Sequence, residues 1–110
     1  MDRIELFKAV SPTIKVSMQL YFNEKGQLIF DGYDSGKGVE DCWGDSDYEY
    51  SYTIEPSNVK KFYPILGVPK GDRAALLLEL KKRFGTNTAY TDLGKFMTAN
   101  HIKYEPFTWT

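Results

Sequence analysis

Between Ile14 and Phe22 the side chains alternate without a break. Ile14, Val16, Met18, Leu20 and Phe22 fall on one side, and Lys15, Ser17, Gln19 and Tyr21 on the other. Successive side chains of a strand point to opposite faces, so this period of two marks a strand with one dry and one wet face. The pattern returns over Tyr48–Ile54, where Tyr48, Tyr50, Tyr52 and Ile54 share a face and Glu49, Ser51 and Thr53 take the other. Strands of this kind belong to an antiparallel sheet covered on one side only.

The elements between and after these strands fill in the rest. Asn23-Glu24-Lys25-Gly26 makes a four-residue connection to a second strand, Gln27–Asp31, and so predicts a hairpin. Arg3–Val10 reads as a further strand with poorer alternation, ended by Ser11-Pro12. Gly32–Gly38 reads as a turn-rich loop, and Val39, Cys42 and Trp43 suit one helical turn laid on the sheet, with Trp43 as a core anchor.

The second half is helical. Ser57 is placed to cap a helix carrying Val59, Phe62, Tyr63 and Leu66, which Pro64 would kink or end. Asp72 caps a stronger helix, Arg73–Phe84, stopped by Gly85. Thr91 caps a third, with Leu93, Phe96 and Met97 on one face. Ile102–Trp109 is extended and aromatic, and Pro106 confines it to a sheet edge or end. Strands first, helices second and a last strand able to rejoin the sheet predict an α+β fold with helices packed on one face. Residues 1–110 form a single domain, with no repeat or linker to divide them.

Several function classes drop out on composition. Cys42 is the one cysteine, so neither an intrachain disulfide nor a Cys-rich zinc framework can form. The N-terminal stretch has acidic residues and no long apolar run, unlike a signal or transit peptide, and no segment approaches the ~20 apolar residues of a membrane span. The expectation is a cytoplasmic protein that does not enter membranes.

Net charge is −1, but it is unevenly placed: −6 over residues 1–55 and +5 over 56–110, with −7 inside 31–55 alone. Calcium is one reading of that acidic stretch, since Asp45, Asp47 and Glu49 alternate near Asp31, Asp34, Glu40 and Asp41. The 12-residue loop spacing of an EF-hand is absent, and no metal site is assigned. Gly32-x-x-x-Gly36-Lys37-Gly38 is one residue short of a phosphate loop, lacks its hydroxyl, and is ringed by acids that repel phosphate. For nucleophilic catalysis the chain offers only Cys42, on an apolar stripe, and His101, at a helix end. An enzyme is not expected, and no cofactor is called for.

The acids are interleaved with Tyr33, Trp43, Tyr48, Tyr50 and Tyr52. Tyr and Trp provide contact area at small entropic cost, and opposite charge steers encounter. The expected function is a non-enzymatic protein-binding module presenting an acidic, Tyr-rich surface to a basic protein partner. Its residues would be Tyr33, Asp34, Glu40, Asp45, Asp47, Tyr48, Glu49 and Tyr50. The face shared by Tyr48, Tyr50 and Tyr52 can instead be core, and the pleat forbids both roles for one residue. The alternatives are calcium-type cation binding and self-association, with the acidic half of one copy meeting the basic half of another. Lys60-Lys61 and Lys81-Lys82-Arg83 are short basic runs, and a pI near 5.8 argues against nucleic acid as the ligand.

Over Leu28–Gly36, Val39-Glu40 and Gly44–Tyr50 the chain resembles a group of small bacterial proteins sharing a pattern close to L-x-G-x-D-x-G-x-x-V-E-x-x-x-G-D-x-x-Y-E-Y. The likeness extends from about Leu20 onward, to a segment like Asn100–Phe107. It implies a bacterial cytoplasmic origin and marks Gly32, Asp34, Gly36, Glu40, Gly44, Asp45, Tyr48 and Glu49 as the group's signature, without implying an activity. In size and acidic aromatic surface the chain is also similar in style to immunity proteins of toxin systems.

Overall fold

The alternating segments become an antiparallel meander, β1 (Arg3–Val10), β2 (Lys15–Phe22), β3 (Leu28–Ser35) and β4 (Asp47–Ile54), which β5 (Glu105–Trp109) joins at the β4 edge. This computed structural model describes residues 2–36 and 47–109. Four helical segments lie between β4 and β5: α1 (Pro56–Val59), α2 (Phe62–Leu66), α3 (Arg73–Phe84) and α4 (Ala89–Ala99). The chain is an α+β fold. Its core is a single layer between the helices and one sheet face, where Leu20, Leu28, Phe30 and Ile54 meet Phe62, Leu76, Leu77, Leu80, Leu93 and Met97.

Local chemistry explains where the elements depart from expectation. In β1, Glu5 pairs with Gln19 and Phe7 with Met18, leaving Leu6 as a bulge. A bulge turns two successive residues to the same side, so Leu6 is buried and the alternation is broken. β3 runs on to Ser35, so Gly32 is a strand residue rather than the start of a turn. It faces Tyr50, and a Cβ on Gly32 would stand 2.0 Å from the Tyr50 ring. The absent side chain lets that ring lie across the strand. The expected helical turn at Val39, Cys42 and Trp43 lies outside the described residues.

The single helix expected after Ser57 is two. Glu55 is the N-cap of α1 with Pro56 in its first turn, and the chain breaks at Lys60-Lys61 before α2. A helix continuing through Lys60 would set that carbonyl against the Pro64 ring four residues on. After the break, Pro64 sits in the first turn of α2, where its missing N–H is not needed. α3 begins as expected, Asp72 accepting from the Ala75 N–H at 3.0 Å. α4 starts one turn earlier than expected: Thr88 is its N-cap and Thr91 lies inside it. Ala89, Leu93 and Met97 are all buried at a spacing of four, which carries the apolar stripe back to Ala89.

α4 ends in a Schellman arrangement. The Ile102 N–H donates to Met97 O at 2.9 Å and the His101 N–H to Thr98 O at 3.3 Å. Such a turn needs a residue in the left-handed region after the cap, and here that residue is His101, with φ 58°. Ile102 then drops into the core against Met97 and sends the chain toward β5.

Candidate functional site

The helices leave the second face of the sheet open among the described residues, and the strand registers place every side chain on it. Four rows cross that face. Val10, Lys15, Ser35 and Asp47 form one; Lys8, Ser17, Tyr33, Glu49 and Trp109 the next. Glu5, Gln19, Asp31, Ser51 and Phe107 form the third, and Arg3, Tyr21, Ile29, Thr53 and Glu105 the last. Directly opposite residues of antiparallel strands share a face, so each row is a line of neighbours.

Charge divides along these rows. The β1–β2 half carries Arg3, Lys8 and Lys15 against Glu5, while the β3–β5 half carries Asp31, Asp47, Glu49 and Glu105 with no cation. Asp31, Tyr33, Asp47 and Glu49 are exposed. Phe107 and Trp109 are 58% and 64% exposed, far more than large apolar side chains usually are. Tyr33 donates from its hydroxyl to Asp47 Oδ1 at 2.8 Å, a diagonal bond that fixes both side chains on the open face. On the opposite half Arg3 lies over the Tyr21 ring, 4.3 Å from its centre, and bonds Gln19.

The eight residues expected to form the surface do not all reach it. Tyr33, Asp47 and Glu49 stand on the open face. Asp34, Tyr48 and Tyr50 turn to the covered face. Glu40 and Asp45 lie outside the described residues.

Tyr50 is corrected from a contact residue to a core residue: it is 5% exposed, and its ring meets Tyr90 edge-on at 5.0 Å and Tyr48 at 5.5 Å. Tyr52 stacks on Tyr90 at 4.1 Å and donates to the Tyr90 carbonyl, so the shared tyrosine face is core. Tyr48 packs half-buried at its end. Asp31, Phe107 and Trp109 take the vacated places. They were legible only through register: Asp31 is two residues from Tyr33, and Phe107 and Trp109 alternate on β5.

Asp34 and Tyr50 make a second, half-buried feature. The Tyr50 hydroxyl donates to Asp34 Oδ1 at 2.7 Å. Burial pushes the Asp34 carboxyl above its ordinary 3.8, and the Tyr50 bond partly opposes that. Burial, then the Asp34 carboxylate, push the Tyr50 phenol far above its ordinary 10.

Two clefts flank α4. One, about 660 Å³, is lined by Glu55, His101, Lys103 and Glu105; the other, about 500 Å³, by Tyr52, Tyr90, Gly94 and Lys95. They share Thr98 and Tyr104. Those two side chains bond each other at 2.9 Å, closing the polar groups between the clefts upon themselves. Among the described residues no three His, Cys, Asp or Glu side chains are grouped to hold a metal ion. No helix among them is long and apolar enough to cross a membrane. No protein-family model matches this chain, and no match is found to a curated protein or to a solved structure.

Proposed function

We propose that the chain is a non-enzymatic protein-binding module, and that the open sheet face docks a partner through a basic surface. The observation that supports this most is the placement of Asp31, Asp47 and Glu49 among Tyr33, Phe107 and Trp109 on the one face that no described helix covers. Aromatic rings supply contact area and are typical anchors of interfaces, while a single-sign carboxylate field selects a cationic partner and speeds encounter. An inhibitor-like or immunity-like module would meet a basic target in this way.

The sheet edges are less suited to docking. Pro106 carries no N–H, so the outer edge of β5 lacks a donor there, and β1 is interrupted by the Leu6 bulge; both devices discourage strand addition. The face, not the edge, is the docking surface.

The test is affinity capture from lysate with wild-type chain and with an Asp47→Asn/Glu49→Gln/Trp109→Ala variant, after circular dichroism shows both folded. A basic protein held by the wild type, released as salt rises and missed by the variant, is the expected result. Equal capture by the two at every salt concentration would remove the face from the function.

A further inference from the structure

We infer that the basic surface filling this face is the β1–β2 half of a second copy, so that two open faces pack as a symmetric sandwich. This rests on the reading of the open face as a docking surface and names its occupant. The face is self-complementary in a way that the registers define. Two sheets meeting face to face are related by a two-fold axis lying between them, and a two-fold contact sets residue i against j and j against i.

An axis parallel to β3 carries β1 over the other copy's β5 and β2 over its β4, while each row stays opposite itself. Lys15 then faces Asp47, Arg3 faces Glu105, and Lys8 faces Trp109 beside Glu49. Each of these relations occurs twice. The exposed Tyr33, Phe107 and Trp109 are all covered by the same operation, while Val10 lies beyond the end of β5. Aligned sheet packing turns the strands by only about 30°, so the pairs near the axis keep their partners.

The size of the face sets the strength. Four strands of eight residues and one of five, at about 4.8 Å spacing and about 3.4 Å rise, offer roughly 600 Å² per copy. That is somewhat below the ~800 Å² per partner of a standard stable interface, which fits a reversible dimer. Two relations oppose it: Glu5 faces Phe107 without a cation, and Asp31 sits on β3 and meets its own copy across the axis. Like charges so placed weaken the pair.

Sedimentation equilibrium on the whole chain tests the arrangement. The wild type is expected to dimerise at low salt and dissociate as salt rises. Lys15→Glu and Asp47→Lys should each be monomeric, because each sets two like-charged pairs together. Mixed in equal amounts, the two variants should recover dimers, since the heterodimer restores both opposite-charge pairs. Asp31→Asn should tighten the dimer severalfold.

A wild type that stays monomeric at every concentration and salt overturns the inference, as does a dimer untouched by either charge reversal or a mixture that fails to recover. The two readings fail separately. For a foreign basic partner Asp31→Asn weakens capture rather than strengthening association, and the reading of the face survives. Capture unchanged by the face variant, with a monomeric wild type, removes both.

Discussion

The Tyr50 hydroxyl and the Asp34 carboxylate bind one another across adjacent strands at 2.7 Å, on the side of the sheet that the helices cover. Because burial raises the Asp34 pKa, the folded state holds its proton more tightly than the unfolded chain does. The contribution of Asp34 is therefore fully favourable below its ordinary 3.8 and is lost as pH rises through the raised value. Asp34→Asn should remove that loss, giving a higher Tm than wild type at pH 7 and a difference that closes toward pH 3. Thermal melts across that range measure it. Tyr50→Phe, which leaves the carboxylate without its donor, should cost about 1–3 kcal/mol at pH 7.

Alkaline pH probes the tyrosine core. Burial raises Tyr50, Tyr52, Tyr63 and Tyr90 above 10, so their stabilising contribution is present below pH 10 and lost as pH climbs past it. Ionisation of these four rings should lag that of a free phenol and be accompanied by loss of the circular dichroism signal. Their complete ionisation with the circular dichroism unchanged would contradict the packing.

Gly32→Ala forces a methyl into the Tyr50 ring, which is held from behind by Tyr90. The ring cannot withdraw without disturbing its hydrogen bond to Asp34. A loss of roughly 1–3 kcal/mol is expected from such overpacking, read from urea denaturation. The double variant Gly32→Ala/Tyr50→Ala should show a smaller cost of the alanine at 32 than the single variant does.

His101→Gly should stabilise. A non-glycine residue in the left-handed region is strained by roughly 1–2 kcal/mol, and glycine loses part of that gain to its freer unfolded chain. A net increase of about 0.5–1 kcal/mol is expected by denaturant titration. No gain would mean that the imidazole makes a compensating contact at the end of α4.

The strong alternation of β2 and β4 and the Asp72 cap were legible because each depends on near neighbours in the chain. β1 was blurred by its bulge, which no local pattern distinguishes from weak alternation. Pro64 marks a helix break in the sequence, but its place in a first turn follows from where the helix is interrupted, at Lys60-Lys61. Gly32 looked like a turn because a glycine's emptiness has two uses, and only the cross-strand partner tells which applies.

The same limit divided the site. A run such as Asp47–Tyr50 puts alternate residues on opposite faces, so an acidic, tyrosine-rich stretch cannot be one surface. The carboxylates at 47 and 49 went outward and the rings at 48 and 50 inward. The sequence places Phe107 and Trp109 at a sheet edge or end and no further, since nothing near them in the chain reveals that Ser51 and Glu49 are their neighbours.

Trp109 pairs with Glu49 across 60 positions of sequence, with the four described helices in between. β1 to β4 each pair with the next strand in the chain, but β5 has a place only once the helical layer is seated and the chain has been led back by the turn at His101. Contacts this distant in sequence form late, after the long loop has closed. A chain whose β5 has not joined the sheet would hold the carboxylates without their aromatic border, so the complete face requires the finished fold.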